Sequence, residues 1–171
     1  MAEKAKKIYY PLMLDITDKN ILIIGGGPAA AEKLRSLSQT GKTVKVIARE
    51  FSDAFRNQDW LQLEQRAYQS GDLQGFDLVY VGINDPQEEE RILHDAKNLN
   101  LLINFVDKVE NSDFISPSVL LRENFALFIS TYGKGPGMTK KIRKTIEEKI
   151  DLDALNREAG EYFKKREKGE V

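Results

Sequence analysis

The fold of this protein is decided by residues 20–30, which read NILIIGGGPAA. The run from Ile21 to Ile24 contains only isoleucine and leucine, the composition of a short strand that is buried on both faces of a sheet. Three glycines end that run, and Pro28 follows at a position where proline suits the first turn of a helix. The stretch therefore predicts a strand, a tight turn and a helix in direct succession.

The next residues complete a βαβ unit around this turn. Residues 29–39 predict a helix that ends at Gly41, and residues 43–48 predict a second buried strand, parallel to the first. The residues expected on the packing side of the helix are Ala30, Leu34, Leu37 and Ser38. Gly25, Gly27 and Ala30 form the pattern G-x-G-x-x-A, whose glycines permit a tight turn and close approach to a pyrophosphate. Between a strand and a helix, this pattern favours a dinucleotide site over a turn that binds nothing.

The rest of the chain continues the alternation and then departs from it. Strand patterns occur at 61–63, 77–83 and 101–106, and a helix pattern runs from 84 to about 99. Residues 114–121 and 125–131 predict a hairpin, which a glycine loop, a charged helix over 139–150 and a polar helical end follow. We expect an α/β fold with a Rossmann-type, doubly wound, mostly parallel sheet, followed by a β-hairpin and a short C-terminal helical segment. The expected domains are an NAD-binding Rossmann domain over 1–113, the hairpin and glycine loop over 114–138, and the helical segment over 139–171.

Composition narrows the classes of function. A net charge of −1 provides no basic field for nucleic acid or a membrane surface, so we expect neither partner. The chain has no cysteine and one histidine, His94, and we therefore expect no metal site. Because no apolar run is long enough to span a bilayer and the N-terminus lacks a signal-peptide hydrophobic segment, we expect a cytoplasmic protein.

Two segments are candidates for cofactor binding beside the glycine turn. The second strand ends in Arg49 and Glu50, where an adenosine ribose is expected. Glu50 suits the 2′-hydroxyl of NAD and Arg49 suits the 2′-phosphate of NADP, while both are equally consistent with solvated loop charges, so the residues alone leave the choice open. After the fourth strand, Gly82 and Asn84 are expected on the nicotinamide side, where Gly82 allows close approach.

The end of the fifth strand carries the candidate catalytic residue. Asn104 and Asp107 lie at the edge where open α/β sheets bind their ligands. A carboxylate there suits a general acid or base, but an aspartate that caps a turn is as common at such a place. Position alone leaves both interpretations of Asp107 standing.

Taken together, the motifs resemble those of the precorrin-2 dehydrogenase domain of siroheme biosynthesis, which is also the N-terminal part of multifunctional siroheme synthases. The resemblance runs from Tyr10 to about Ile150. The matching segments are Tyr10-Pro11-Leu12 with Leu14, the glycine turn through Lys33, Asn104-x-x-Asp107, Phe114-Ile115-x-Pro117-Ser118, and Ile129-Ser130-Thr131 with Gly133, Gly135 and Pro136. Each segment alone is weak, and the combination is specific.

The resemblance implies an oxidoreductase of porphyrin biosynthesis that oxidises precorrin-2, a tetrapyrrole, to sirohydrochlorin with NAD as cofactor. It implies Asp107 as the catalytic residue, a homodimer built through the hairpin and later helices, and cofactor contacts from the glycine turn, Arg49 and Glu50. The cofactor residues after the glycines are Pro28 and Ala29. The candidate substrate-binding residues are Asn104, Ser130, Thr131, Lys134 and Lys140. Basic residues near Lys140 suit the substrate carboxylates, although a solvated helix face explains each lysine singly.

Two alternatives remain at this stage. The first is a bifunctional precorrin-2 dehydrogenase and sirohydrochlorin ferrochelatase; because the chain ends soon after its first C-terminal helix, we expect dehydrogenation alone. The second is a non-catalytic, NAD-sensing Rossmann module, which shares the βαβ start but does not call for the later motifs.

Overall fold

The structure is a computed structural model that describes residues 7–106 and 108–170. The chain divides into two compact units, of which the first ends at Ile115 and the second begins at Ser116. The first unit carries the predicted parallel sheet, and the second carries the hairpin and the C-terminal helices. Among the described residues, no helix combines the length and the apolar character needed to cross a membrane.

The first unit is built on a five-stranded sheet in the order β3-β2-β1-β4-β5, in which every neighbouring pair is parallel. The strands are β1 (Ile21–Ile24), β2 (Val44–Ala48), β3 (Leu61–Gln65), β4 (Leu78–Val81) and β5 (Leu102–Phe105). Helix α1 (Pro28–Leu37) connects β1 to β2, and helix α2 (Pro86–Ala96) connects β4 to β5. The order reverses between β1 and β4, as in a doubly wound sheet, and the predicted fold class is confirmed.

The residues of β1 alternate between two apolar clusters on opposite faces of the sheet. Ile21 and Ile23 pack with α1, whereas Leu22 and Ile24 pack with α2. All four are at most 2% exposed, which confirms a strand buried on both faces. This burial places the glycine turn at one edge of a rigid core.

The ends of the two helices follow from local sequence. A short 3-10 turn extends α1 to Gly41, whose φ of 68° is a left-handed conformation that glycine adopts at little cost. Asp85 caps α2 by accepting hydrogen bonds from the backbone N–H groups of Gln87 and Glu88. The expectation that Ser38 packs inward was wrong: it is exposed, because α1 ends at Leu37 and the helical spacing no longer applies there.

The second unit is an antiparallel hairpin followed by two helices: β6 (Ser118–Leu121), β7 (Ala126–Ile129), α3 (Pro136–Lys149) and α4 (Leu152–Glu167). The strands are shorter than predicted, since Pro117 cannot donate to a ladder and Ser130 hydrogen-bonds into the following turn. Helix α4 is tied to the hairpin turn, where Asn124 donates to Asn156 from its backbone and its side-chain amide at 3.0 Å each.

Candidate functional site

The candidate site is a cavity of about 270 Å³ at the carboxyl ends of β1, β2 and β4. It lies where the strand order reverses, which is the place where doubly wound sheets bind their ligands. The lining residues are 24–27, 47–50, 66–68, 82–85 and 88. The first unit thus brings together, from four loops, the glycine turn and most of the predicted cofactor residues.

The first two glycines of the turn are required by the backbone itself. Gly25 has a φ of 116°, and a Cβ built there lies 2.3 Å from the carbonyl oxygen of Gly82. A Cβ on Gly26 lies 2.1 Å from the carbonyl oxygen of Glu50. Both distances are far inside van der Waals contact, so these positions admit only glycine without a shift of backbone. The turn is therefore locked between the ends of β2 and β4.

Gly27 is different, because a Cβ built there meets nothing within 4 Å. The residue precedes α1, and the backbone N–H groups in the first turn of a helix have no partners within the helix. Pro28 has no N–H group, so the first such donor of α1 is that of Ala29. A bare Cα beside such N–H groups lets a pyrophosphate approach the positive end of the helix dipole. The observed turn therefore fits the phosphates of a dinucleotide.

Gly82 contributes to the site through packing. A Cβ on Gly82 lies between 2.9 and 3.0 Å from backbone and side-chain atoms of Ala30, which is itself fully buried in α1. Small residues at both positions thus hold α1 close to the end of β4. The close contact predicted at Gly82 is thus made by helix α1. Asn84, two residues further on, is exposed and lines the cavity.

The end of β2 carries both charged residues expected there. Arg49 and Glu50 are exposed and line the cavity. Arg49 is oriented towards α2: its Nη2 lies 3.3 Å from Oε1 of Glu88 and 4.0 Å from Oδ2 of Asp85. Glu88 is a lining residue that the sequence did not identify, because its place depends on how α2 packs beside β2.

Arg66 and Tyr68 also line the cavity and were missed from the sequence. The guanidinium of Arg66 donates to Asp72 at 2.6 and 2.9 Å and to Glu64 at 2.6 and 3.0 Å, and these hydrogen bonds raise its pKa. Burial, followed by the hydrogen bond to Asp95 at 2.8 Å, raises the pKa of the Tyr68 hydroxyl. Arg66 is therefore a cation that is already paired with two carboxylates. The Tyr68 hydroxyl is neutral and already donates to Asp95.

Hydrogen bonds join the end of β5 to residues that follow it in the chain. Asn104 is 5% exposed, and its Nδ2 donates to the carbonyl oxygen of Phe114 at 2.8 Å. Its Oδ1 is buried and has no partner in the part of the chain that the structure describes. Ser112 Oγ accepts from the N–H of Phe105 at 2.8 Å and donates to the carbonyl of Lys108 at 2.9 Å. The predicted catalytic residue Asp107 lies outside the described residues.

The other predicted substrate-binding residues belong to the second unit. Ser130 Oγ accepts from the backbone N–H of Tyr132 at 3.0 Å. The Thr131 hydroxyl lies 3.0 Å from that of Thr139 and 3.2 Å from both N and O of Gly135, so it closes the glycine loop onto the start of α3. The side chains of both Lys134 and Lys140 are exposed. Their roles toward a substrate stay predictions.

The doubly wound sheet, the locked glycine turn and the open helix N-terminus define a dinucleotide-binding domain of the Rossmann type. The family model described as putative NAD(P)-binding matches residues 12–118, more than half of the 171-residue chain, and the chain belongs to this family.

Individual proteins extend this likeness beyond the family match. The siroheme synthase of Pseudoalteromonas atlantica is 32% identical over 145 residues, which cover 83% of this chain and 31% of that protein. The siroheme synthase of Nitrosococcus oceani is 29% identical over 144 residues, covering 81% and 30% respectively. The chain thus spans less than a third of the length of these relatives. A solved structure of SirC, precorrin-2 dehydrogenase, matches with a TM-score of 0.76 at 23% identity, over 92% of this chain and 79% of that one, and supports the fold.

Proposed function

We propose that this chain is an NAD-dependent precorrin-2 dehydrogenase of siroheme biosynthesis, which oxidises precorrin-2 to sirohydrochlorin. The observation that carries the proposal is the open Gly27 beside the start of α1, in a cavity at the switch point of the sheet. Relatives that align over most of this chain are siroheme synthases, and a structure of the same fold is named a precorrin-2 dehydrogenase. A dinucleotide site and these relatives together favour a dehydrogenase over a module that only senses NAD.

Each part of the chain has a task in this proposal. Bound NAD⁺ supplies the hydride acceptor. The glycine turn and the first turn of α1 bind the pyrophosphate, and the end of β2 binds the adenosine ribose. Asn104 and Ser112 tie the end of β5 to residues 112–114 through their hydrogen bonds, and Asp107 is assigned the role of accepting the proton that the macrocycle loses. Holding the reacting carbon against the cofactor supplies a further part of the rate.

The substrate carboxylates require cations, and the second unit offers them. Lys134, Lys140 and Lys141 have exposed side chains on the glycine loop and the first turns of α3. They form the proposed carboxylate-binding group, with the hydroxyl of Ser130 as an additional donor. We place the reaction in the cytoplasm, which agrees with a sequence that contains no cysteine.

A homodimer belongs to the same proposal. The hairpin exposes Leu121 to 42% and Phe128 to 50%, and α3 exposes Met138 to 54%. Exposed large apolar side chains of this kind are available for a protein–protein interface. We propose that a second copy of the chain covers them.

Anaerobic reduction of NAD⁺ with precorrin-2 tests the proposed function. We expect NADH absorbance to appear in step with sirohydrochlorin. Tight NAD⁺ binding without any NADH would favour the sensing module instead. Insertion of Fe²⁺ or Co²⁺ into sirohydrochlorin, measured in the same preparation, would establish the bifunctional alternative.

A further inference from the structure

The end of β2 holds a cation that is already neutralised. Nη2 of Arg49 lies 3.3 Å from Oε1 and 3.4 Å from Oε2 of Glu88, so that both carboxylate oxygens face the guanidinium. The two partners differ in burial: the side chain of Arg49 is 63% exposed and that of Glu88 is 10% exposed. The acid is therefore the anchored member of the pair, and the arginine is held by it.

Building on the proposed function, we propose that Glu88 determines cofactor specificity: by holding Arg49 it keeps a 2′-phosphate out and admits a dinucleotide with a free 2′-hydroxyl. An arginine beside the adenosine ribose is the group that accommodates the 2′-phosphate in NADP-binding domains. In this chain that arginine is present at the end of β2, but its charge is matched by the Glu88 carboxylate of α2.

The other charged residues that line the cavity also disfavour a 2′-phosphate. Arg66, the other arginine of the lining, is committed to Asp72 and Glu64. Glu50 and Asp85 add negative charge to the rim. Carboxylates thus outnumber arginines among the described lining residues, and a phosphate dianion would enter against their repulsion. A ribose hydroxyl has no such cost, and Glu50, which lines the same cavity, is the acceptor assigned to it in this proposal.

Glu88 has a second arginine partner besides Arg49. It lies in the first turn of α2, where the helix dipole favours negative charge, and Asp85 caps the same turn. Arg91 Nη2 is 3.4 Å from Oε1 of Glu88 and also donates to the carbonyl of Tyr68 at 2.8 Å. Removal of the Glu88 charge therefore leaves Arg91 its bond to the Tyr68 carbonyl, while among the described residues the Arg49 guanidinium keeps only the Asp85 carboxylate at 4.0 Å.

Direct binding of NAD⁺ and NADP⁺, measured by isothermal titration calorimetry, tests the inference. In Glu88→Gln we expect the ratio of the NADP⁺ to the NAD⁺ dissociation constant to fall at least about tenfold. Glu90→Gln removes the same charge from an exposed position of α2 and should leave the ratio unchanged. The double variant Glu88→Gln/Arg49→Met should restore the wild-type ratio, because the gain requires a freed Arg49. Raising the ionic strength from about 0.1 to 1 M should reduce the gain.

Three results separate the possibilities. Wild-type protein that binds neither dinucleotide overturns the proposed function together with this inference. Protein that binds NAD⁺ but shows the same ratio in Glu88→Gln overturns the inference alone. Arg49→Met in the wild-type background does not depend on the folding of a Glu88 variant: if it weakens NADP⁺ tenfold relative to NAD⁺, Arg49 already serves a 2′-phosphate and the inference is wrong.

Discussion

The Cα of Gly25 and the carbonyl of Gly82 approach so closely that a Cβ on Gly25 would lie 2.3 Å from the Gly82 oxygen. This contact joins the turn after β1 to the end of β4 at the point where the strand order reverses. The open Cα of Gly27 lies just beyond it. Glycines in one turn thus have separate tasks, and substitutions can tell those tasks apart.

Gly27→Ala should impair NAD⁺ binding, whereas Gly26→Ala should impair stability. The methyl group of Gly27→Ala meets nothing within 4 Å, so the free energy of unfolding should change by less than about 1 kcal/mol. The added methyl group should, however, keep a pyrophosphate from approaching the turn, and we expect the affinity for NAD⁺ to fall about tenfold or more. Gly26→Ala, with its Cβ 2.1 Å from the Glu50 carbonyl, should cost about 1–3 kcal/mol. Urea unfolding and calorimetry measure the two effects; equal loss of stability in both variants would contradict this division.

Asp107→Ala should lower turnover by about 10²–10⁴-fold, the usual contribution of a general base, while NAD⁺ still binds. The measurement is anaerobic NADH production with precorrin-2, alongside the NAD⁺ dissociation constant. Asp113→Asn is a control six residues further along the chain. The Asp113 carboxylate accepts a hydrogen bond from the backbone N–H of Ile103 at 2.9 Å, so its substitution should affect stability more than turnover. Unchanged turnover in Asp107→Ala would remove that residue from the mechanism.

Charge reversal of Lys140 and Lys141 to glutamate should raise the KM for precorrin-2 about three- to tenfold, since each exposed pair contributes at most about 1 kcal/mol. Salt should diminish the difference because it screens exposed charges. Reversal of Lys164 and Lys165, exposed in the last turn of α4, makes the same change of net charge elsewhere in that unit. Should both pairs raise KM equally, the effect is one of net charge and the proposed group is wrong.

Asp72→Asn should destabilise the protein in a pH-dependent way. Burial by itself raises the pKa of Asp72, but hydrogen bonds from Arg66 and the Gln69 N–H bring it below the ordinary 3.8. A lowered pKa means that the stabilisation is complete above about pH 4 and is lost as the pH falls through the folded-state value. We expect a deficit of about 1–3 kcal/mol at pH 7 that narrows at pH 3, measured by urea unfolding. Asp53→Asn, with a carboxylate 89% exposed, is the control, and a deficit independent of pH would contradict the assignment.

Phe128→Asp should convert the proposed dimer to a monomer without unfolding it. The side chain is 50% exposed on β7, so its loss removes little intramolecular packing, whereas a charge at a dimer interface is costly. Light scattering after size exclusion gives the mass, and circular dichroism checks the fold. Leu63→Asp alters a strand residue of the first unit that is 42% exposed and should leave the mass unchanged. A monomeric wild type would end the dimer proposal.

Local sequence was sufficient for the sheet and the glycine turn. Burial of β1 on both faces demands an unbroken apolar run, and the turn demands glycine at a positive φ, so both leave a mark in consecutive residues. The same holds for the stop at Gly41. The expected boundaries of the hairpin strands and of α3 were less accurate, since Pro117 and the hydroxyl groups of the glycine loop compete with regular pairing there.

Tertiary structure alone decided which charged side chains pair beside the cavity proposed for the cofactor. Arg49 and Glu50 are adjacent in the chain and equally suited to a ribose, but Arg49 is neutralised by Glu88, which lies 39 residues away. The bond from Asn104 to the Phe114 carbonyl likewise forms only when the chain returns to β5. Propensity and periodicity act over a few residues and therefore report strands, turns and caps. The partner of a charged side chain depends on which loops the sheet order brings to one edge, and no spacing in the sequence records that.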